Sequence, residues 1–239
     1  MEAQSYARQF QGLDAVASYR RKFAGRLDQL RHRREVEILS QYLYGHVFDC
    51  TIGIGRFIGQ LPNVLQYDGV DLSPEFVAFV KATHPAARVE TCDLTRGIDR
   101  PDASFDCVLC LRSLSAIQSL QFILGEMLRI ARPGGNVLFD YGRMPQCTLI
   151  DGTVGVVDSE PLDQILTDVS ALPVARVPID SLLVRLKRWR LLSRALSTPV
   201  GEAVPSQLLL SVERALEPYW WQRQIVVLRK PAVAAHMTR

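Results

Sequence analysis

The chain has 239 residues, of which 48% are hydrophobic and 22% are charged, and its formal net charge is +3. This length suits one elaborated domain with a full hydrophobic core, and the composition is ordinary for a soluble globular protein and excludes general disorder. No apolar stretch approaches the roughly 20 residues that a membrane span needs, and the polar first residues do not form a secretory leader, so a cytoplasmic location is expected.

The predicted elements begin with helix. Residues 1–43 contain an apolar stripe that includes Leu27 and Leu30, and the helical segment ends before Gly45. A short strand at 46–50 follows, and it leads into a glycine-rich turn and a helical stretch that reaches about residue 61.

Strands and helices then alternate with short links between them. Ser73 is a suitable cap and Pro74 a suitable first residue for the helix that follows the second strand. The remaining strands are predicted at 67–71, 88–92, 105–111, 136–141, 173–179 and 224–229, and the later helices at 119–131, 163–170 and 181–218. This alternation predicts an α/β fold in which helices cover both faces of a parallel sheet.

Five cysteines are scattered through the chain, and this odd number argues against a disulfide framework. Cys107 and Cys110 have the spacing of a metal motif, but they lie in the apolar run of a predicted strand. Positions three apart on a strand face opposite sides, and no second Cys or His pair completes four ligands. We therefore interpret both as packing residues and expect no bound metal.

Basic residues concentrate in two segments. Residues 20–34 hold seven Lys or Arg against one Asp, and residues 185–194 hold five and no acid. Two interpretations stay open for each segment, namely a solvated helix face and a surface for an anionic partner. The net charge of +3 is too small to favour nucleic acid by itself.

A glycine turn and two aspartates carry the first functional signal. Gly53 and Gly55 follow the first predicted strand, where the absence of side chains lets the backbone approach a ligand closely. Asp71 ends the second strand, where its carboxylate can accept hydrogen bonds from both hydroxyls of a ribose, so an adenosine-like ligand is indicated. A nicotinamide cofactor prefers a third glycine where Ile58 stands, whereas Asp93, after the third strand, can accept from an adenine amino group.

Five segments in this order and spacing resemble the motifs of the class I (Rossmann-like) S-adenosylmethionine-dependent methyltransferases. The matching segments are 47–57, 69–74, 92–94, 104–108 and 126–135. The resemblance covers roughly residues 44–141 and the last strand. It implies a three-layer Rossmann-like methyltransferase sheet, mostly parallel, with the last strand inserted antiparallel beside the fifth, and S-adenosylmethionine as the cofactor.

The resemblance also implies which residues bind the cofactor. Gly53 and Gly55 would wrap its methionine end, Asp71 would hold the ribose hydroxyls, and Asp93 would bind the adenine amino group. The complete expected set is Asp49, Thr51, Gly53, Gly55, Asp71, Leu72, Asp93, Leu94 and Cys110.

The other members of this set have smaller implied roles. Leu72 would lie against the adenine, Leu94 would supply a backbone amide, and the carbonyl near Cys110 would meet the methionine ammonium. The sequence departs from the family pattern at two places. Thr51 replaces the first motif glycine, so a β-carbon must fit the turn, and no His follows the fourth strand, where residues 113–117 read Ser-Leu-Ser-Ala-Ile.

Methyl transfer requires mainly that the protein align the acceptor and exclude water, because the cofactor is already activated. A base assists when the acceptor oxygen or nitrogen must lose a proton, and the sequence reveals none. Arg112 can pair with an anionic acceptor or with the cofactor carboxylate. The catalytic candidates are Tyr19, Arg112, Tyr141 and Arg143, with Tyr6 and Ser113 as further residues that line the pocket.

The chain divides into four predicted parts. They are an N-terminal helical lid at 1–43, an S-adenosylmethionine-binding core at 44–180, a helical cap insertion at 181–218, and the last core strand and tail at 219–239. The apolar stripe of the cap consists of Leu182, Leu186, Trp189 and Leu196, and Arg185, Lys187, Arg188 and Arg194 surround it. Such a helix packs on the core, clamps an anionic substrate, lies on a membrane surface or docks on an acidic carrier protein, here through 181–196.

The predicted activity is methyl transfer to an O or N atom of a small acceptor, such as a specialised metabolite or a sugar or lipid precursor, either anionic or neutral. Three alternatives stay open: an RNA or protein methyltransferase, a catalytically silent cofactor-binding subunit, and a nicotinamide enzyme. Nucleic acid is disfavoured because residues 111–114 read Leu-Arg-Ser-Leu in place of the Asn-Pro-Pro-Tyr type of motif used for flipped bases. A homodimer also stays open.

Overall fold

The computed structural model describes residues 14–113, 120–142, 146–150, 153–157, 162–169, 171, 173–180, 182–183, 186, 198, 203–220 and 223–232. The helices within these ranges are α1 (Ala15–Lys22), α2 (Arg26–Tyr42), α3 (Pro74–Thr83), α4 (Leu120–Ile130), α5 (Leu162–Asp168) and α6 (Ser206–Trp220). The strands are β1 (Gly45–Asp49), β2 (Val64–Asp71), β3 (Arg88–Thr91), β4 (Phe105–Cys110), β5 (Ala131–Gly142), β6 (Gln146–Ile150), β7 (Thr153–Val157), β8 (Pro173–Ile179) and β9 (Arg223–Arg229).

Seven strands form one sheet in the order β3-β2-β1-β4-β5-β9-β8. Strands β1 to β5 pair in parallel, and β9 is inserted antiparallel between β5 and β8. The predicted fold class, a mostly parallel Rossmann-like sheet whose last strand is antiparallel, is confirmed. Strands β6 and β7 form a separate two-stranded hairpin that the sequence analysis did not predict.

The sheet is buried on both faces because the middle parts of its central strands, such as residues 107–110 of β4 and 137–139 of β5, are apolar on both sides. On one face, Phe48 and Phe139 pack with residues of α4 and α5, and on the other Val47 and Leu138 pack with residues of α2 and α3. Cys110 belongs to the first of these cores and Cys107 to the second, and both are 0% exposed. The two cysteines therefore face opposite sides of β4, as predicted from their spacing.

Three predicted helices differ in the structure. The helix predicted over 181–218 is not continuous, because residues 203–205 are non-helical and α6 begins at Ser206. The N-terminal helix is interrupted at Gly25, whose extended backbone (φ −67°, ψ 146°) separates α1 from α2. The helical stretch predicted to reach residue 61 is wrong, because residues 53–60 form successive turns. Gly53, Gly55 and Gly59 all have positive φ, a conformation that no right-handed helix contains.

The lid and the predicted cap pack on each other. Leu27 and Leu30 of α2 share a third hydrophobic core with Leu183, Leu209 and Leu210. Leu186 packs against this core, and Leu182 is half-buried. The other residues of the predicted cap stripe and its basic surroundings, namely Arg185, Lys187, Arg188, Trp189, Arg194 and Leu196, lie outside the described residues.

A buried ion pair also joins α2 of the predicted lid to α6. Arg34 Nη2 lies 2.7 Å from Glu217 Oε2, and the Glu217 side chain is 4% exposed. The division of the chain into four parts stays a prediction. No helix in the described ranges is both long enough and apolar enough to cross a membrane.

Candidate functional site

The carboxyl ends of four adjacent strands bring the predicted cofactor-binding residues to one edge of the sheet. Asp49 ends β1, Asp71 ends β2, Asp93 follows β3 and Cys110 ends β4. Because the strand order is β3-β2-β1-β4, these residues form a row beside the turn that leaves β1. Open α/β sheets bind their ligands at this edge.

The glycine turn after β1 adopts a conformation that requires glycine. Gly53 (φ +56°) and Gly55 (φ +72°) lie in the left-handed region. A β-carbon on Gly55 would come within 2.9 Å of Ile58 Cδ1, whereas one on Gly53 would point into the space below the Tyr19 hydroxyl, 3.7 Å away. The positive φ therefore requires glycine at both positions, and the turn backbone at Gly53 is bare beneath the Tyr19 ring.

Thr51 fits the place of the first motif glycine without strain. The backbone of Thr51 does not have a positive φ, so its β-carbon causes no strain in the turn. Its amide donates to Asp49 Oδ1 at 3.0 Å and its hydroxyl donates to the Leu111 carbonyl at 3.3 Å. The substitution therefore ties the turn to the end of β4.

Asp71 links the glycine turn to the start of α3. Its Oδ2 accepts from the Gly53 amide at 2.8 Å and its Oδ1 accepts from the Ser73 amide at 2.9 Å. Burial raises the pKa of Asp71, and these amides together with that of Leu72 partly offset the effect. Each carboxylate oxygen keeps a further lone pair with which it can accept from a ribose hydroxyl.

Asp49 lies beneath the turn, and its exposed fraction is 3%. Its carboxylate accepts from the Thr51 amide and, at 2.8 Å, from the Tyr67 hydroxyl. Burial raises the pKa of Asp49 to about 6, although these two hydrogen bonds act in the opposite direction. Asp49 therefore holds the shape of the turn from below.

Asp93 and its neighbours lie at the outer end of the row. Asp93 Oδ1 accepts from the Thr95 amide at 3.0 Å and from the Thr95 hydroxyl at 2.7 Å, and so caps a short 3₁₀ turn. Leu94 is buried and Leu72 is half-buried. The Asp93 side chain is 32% exposed, and its Oδ2 lies 3.8 Å from the Nε of the exposed Arg96, so an adenine amino group would share this oxygen with Arg96.

Tyr19 covers the glycine turn from α1. Its ring packs against Phe23 and Phe76, with centroids 4.7 and 5.1 Å away, and its hydroxyl lies above Gly53. Burial raises the pKa of Tyr19, and the nearby Arg56 opposes the effect. The phenol therefore keeps its proton at neutral pH and can act as a hydrogen-bond donor over the turn.

A buried carboxylate that the sequence analysis did not single out stands behind this site. Glu35, on α2, is 2% exposed. Its Oε1 accepts from Arg112 (Nε at 3.0 Å, Nη2 at 2.5 Å) and from Arg223 Nη2 at 2.9 Å. Its Oε2 lies 3.5 Å from Arg56 Nη2 and has no hydrogen-bond partner among the described residues.

The acids on β5 and after β8 extend this arrangement. Arg223 also donates to Asp140 and, at 2.7 Å, to Asp180, which in turn accepts from Arg31 at 2.9 Å. We name this group the Glu35 cluster; its members are Arg31, Glu35, Arg56, Arg112, Asp140, Asp180 and Arg223. It connects the lid helix α2 to the glycine turn and to the ends of β4, β5, β8 and β9.

Electrostatics within the Glu35 cluster strongly favour the charged carboxylate. Burial by itself raises the pKa of Glu35, but the guanidinium groups of Arg112, Arg56 and Arg223 outweigh burial and hold that pKa well below its usual range. The carboxyl of Asp180 is buried as well, and Arg223 and Arg31 lower its pKa in the same way.

Arg112 is the catalytic candidate whose position the structure defines most completely. Its backbone is in the left-handed region (φ +65°), and its amide donates to Asp140 Oδ1 at 2.7 Å. Its guanidinium is paired with Glu35 and stacks over Phe23, 5.2 Å from the ring centroid. The charge that the sequence analysis assigned to an anionic acceptor or to the cofactor carboxylate is thus compensated within the protein.

The remaining candidates divide between described and undescribed residues. Tyr141 lies at the end of β5, half-buried against the core that contains Phe139. Ser113 follows Arg112, and its hydroxyl lies 3.5 Å from the Leu111 carbonyl. Tyr6 and Arg143 lie outside the described residues. No three His, Cys, Asp or Glu side chains in the described ranges converge as a metal site.

The comparisons with known proteins agree with this geometry. Residues 48–139 match the family model described as a methyltransferase domain. This match covers the segment from β1 to β5, and the fold is similar to solved Rossmann-like methyltransferases, some of which are complexes with S-adenosylmethionine. The predicted resemblance to methyltransferases is confirmed, and these similarities favour S-adenosylmethionine over the nicotinamide alternative.

Three relatives illustrate the similarity. Over 138 residues, covering 53% of this chain and 67% of the relative, the chain is 25% identical to a phosphatidylethanolamine N-methyltransferase of Cereibacter sphaeroides. The fold is similar to phosphoethanolamine N-methyltransferase 2 of Haemonchus contortus, with a TM-score of 0.64, 18% identity and coverage of 97% of this chain and 61% of the other. It is also similar to a geranyl diphosphate methyltransferase, with a TM-score of 0.59, 16% identity and coverage of 92% and 91%.

Proposed function

We propose that the chain transfers a methyl group to a nitrogen or oxygen atom of a small molecule, and that a primary or methylated amine is its acceptor. Two of the relatives are described as N-methyltransferases of ethanolamine compounds, and one of them was solved with phosphomonomethylethanolamine. The proposal rests on one observation above the others, which is the position of the Tyr19 hydroxyl above the glycine turn.

The residues at the sheet edge fit the cofactor in three ways. Gly53 has the positive φ of a close backbone approach, Asp71 carries further lone pairs for two ribose hydroxyls, and the half-exposed Asp93 keeps Oδ2 outside its cap to Thr95. When bound there, S-adenosylmethionine supplies an electrophilic methyl group on a positively charged sulfur. Gly53 and Gly55 would hold its methionine end, and Asp71 and Asp93 its adenosine.

The lid supplies the acceptor side of the site. Phe23, Tyr19 and Phe76 form a continuous aromatic wall over the turn, and such a wall excludes water from a methyl transfer. A protonated phenol can donate to an acceptor oxygen, and its lone pairs can accept an N–H from an acceptor amine. Tyr19 would therefore orient the acceptor lone pair toward the methyl group without having to ionise.

The test measures transfer of a labelled methyl group from S-adenosylmethionine to phosphoethanolamine, to phosphatidylethanolamine in detergent, and to an aliphatic alcohol. We expect amine-dependent product, and Tyr19→Phe should lower kcat about 10-fold to 100-fold while S-adenosylhomocysteine affinity stays within a factor of about two. Tyr44→Phe is the matched control, because that hydroxyl donates to the Gly134 carbonyl at 3.4 Å, away from the glycine turn.

Two results would contradict the proposal. If the chain binds S-adenosylhomocysteine but methylates none of these acceptors, the acceptor is of another class, such as RNA or protein, or the chain is a silent subunit. If Tyr19→Phe and Tyr44→Phe have equal effects on kcat, Tyr19 has no special part in orienting the acceptor.

A further inference from the structure

A second cleft lies on the outer side of the lid, and it plays no part in the proposed function. It has a volume of about 750 Å³ and lies between α1, α2 and the turns that follow Gly55. Ligand sites for small molecules have volumes of roughly 300 to 1,000 Å³. The cleft is therefore large enough for a nucleotide-sized molecule.

The cleft is on the opposite face of α1 from the cofactor site. Ala17, Arg20 and Arg21 line it, and their spacing of three and four residues places them on one face of the helix. Tyr19, which covers Gly53, lies on the other face. Phe23 separates the two regions, since its ring contacts Tyr19 on one side and lines the cleft on the other.

The lining of the cleft is strongly basic. It contains Arg20, Arg21, Arg33 and Arg56, and the lining residues within the described ranges include no Asp or Glu. Arg20 lies over the Phe79 ring and Arg21 donates to the Ser18 hydroxyl. None of Arg20, Arg21 and Arg33 forms an ion pair with an acid that the structure describes.

Arg56 is held rigidly at the inner end of the cleft. Its guanidinium lies between the rings of Phe23 and Phe57, 4.7 and 4.8 Å from their centroids. Its Nη1 donates to His32 Nδ1 at 3.2 Å, and His32 Nε2 in turn donates to Gln60 Oε1 at 3.0 Å. Burial and the charge of Arg56 lower the pKa of His32, so its ring is neutral at pH 7. A neutral ring can accept at Nδ1 and donate at Nε2, as these two hydrogen bonds require.

We propose that this cleft binds a small phosphorylated molecule. Guanidinium groups match the oxygen geometry of a phosphate and bind it through paired, charge-assisted hydrogen bonds. Arg20 and Arg33 approach from two helices, so they can contact one phosphate group from different directions. The Phe23 ring and the small side chains of Ala17 and Ala24 provide an apolar surface for the organic part of the ligand.

The test uses inorganic pyrophosphate as the probe and isothermal titration calorimetry as the measurement, at low salt and with saturating S-adenosylhomocysteine present. We expect binding that the double variant Arg20→Gln, Arg33→Gln weakens about tenfold or more, because two charge-assisted contacts are lost. The matched control is Lys81→Gln with Arg88→Gln, which removes the same charge from exposed positions on α3 and β3. It should change the dissociation constant by less than about twofold.

Both double variants alter exposed side chains, and an unchanged melting temperature will establish that they are folded. Three results would overturn the proposal. They are an equal loss of pyrophosphate affinity in both double variants, competition between pyrophosphate and S-adenosylhomocysteine, and binding to phosphatidylglycerol vesicles without any binding of pyrophosphate. Since no readout depends on methyl transfer, failure here is distinguishable from failure of the proposed function.

Discussion

Replacing Glu35 by Gln would test whether the Glu35 cluster fixes the lid on the core. The substitution keeps the size of the side chain and removes its charge. The guanidinium groups of Arg112 and Arg223 would then face an amide oxygen, and Arg56 would lose its only acidic neighbour among the described residues. The cluster would keep Asp140 and Asp180 for Arg223.

The expected loss of stability is large because the cluster is buried. The side chain of Glu35 is 3% exposed, and those of Arg56, Arg112 and Arg223 are 12, 17 and 16% exposed. Removing one partner of a buried ion pair costs about 3 to 5 kcal/mol, since an uncompensated charge stays in the interior. In a chain of this size 1 kcal/mol shifts Tm by about 2 to 4 °C, so we expect Tm to fall by roughly 6 to 20 °C.

The control is Glu37→Gln, two residues further along the same helix and on a different face. Glu37 is 34% exposed and pairs with Arg34 at 3.3 Å and Arg214 at 2.7 Å. Exposed pairs of this kind contribute about 0 to 1 kcal/mol, so Tm should change by no more than about 4 °C. Equal decreases in Tm for the two variants, measured by calorimetry, would refute the reasoning.

The pH dependence gives a second readout. Because the pKa of Glu35 in the fold lies below its unfolded value, its contribution is complete above about pH 5 and is lost as the pH falls toward the folded pKa. The difference in Tm between the native chain and Glu35→Gln should therefore be constant from pH 5 to 8 and shrink below about pH 4.

Two further predictions concern the aspartates of the sheet edge. Asp71→Ala should weaken S-adenosylhomocysteine binding in calorimetry by about tenfold or more, because charge-assisted hydrogen bonds contribute roughly 1.5 to 3 kcal/mol each. Asp71→Asn keeps an acceptor for the Gly53 amide, so it should weaken binding less. Unchanged affinity in both variants would show that the ribose is held elsewhere. Burial raises the pKa of Asp49 in the fold to about 6, above its unfolded value. The contribution of this carboxyl to the free energy of unfolding therefore decreases as the pH rises from about 4 to 6. Between pH 4 and 7, the free energy of unfolding of Asp49→Asn in urea should therefore rise by up to about 3 kcal/mol relative to that of the native chain. A difference between the two that does not depend on pH would contradict the assigned burial.

The sheet and its binding edge were predictable because their signals are local. Each central strand is a short apolar run, and the glycine turn and Asp71 stand directly after two of these runs. The interruption of the N-terminal helix at Gly25 was not predictable in the same way. An isolated glycine destabilises a helix by only about 1 kcal/mol relative to alanine and is often tolerated.

The Glu35 cluster could not be derived from the sequence because its contacts are long-range. Glu35 lies 77 residues from Arg112 and 188 residues from Arg223 along the chain. One local signal was present, since Glu35 follows Leu27, Leu30 and Arg31 on the inward face of the helix and precedes Ile38 by three residues. A carboxylate at such a position indicates a buried partner but not which of the chain's many basic residues supplies it.

The basic segment 20–34 shows how one charge run serves two purposes. The sequence left open whether it is a solvated face or a surface for an anion, and the structure separates its residues by the face they occupy. Arg31 and Arg34 point inward and are neutralised by Asp180 and Glu217. Arg20 and Arg33 point outward, line the cleft and have no acidic partner in the described part of the chain. The inward arginines join the lid to the core and are already paired with acids. Under the proposed anion binding, the attracting charge would therefore come from the outward arginines alone, and a total count of basic residues would overstate it.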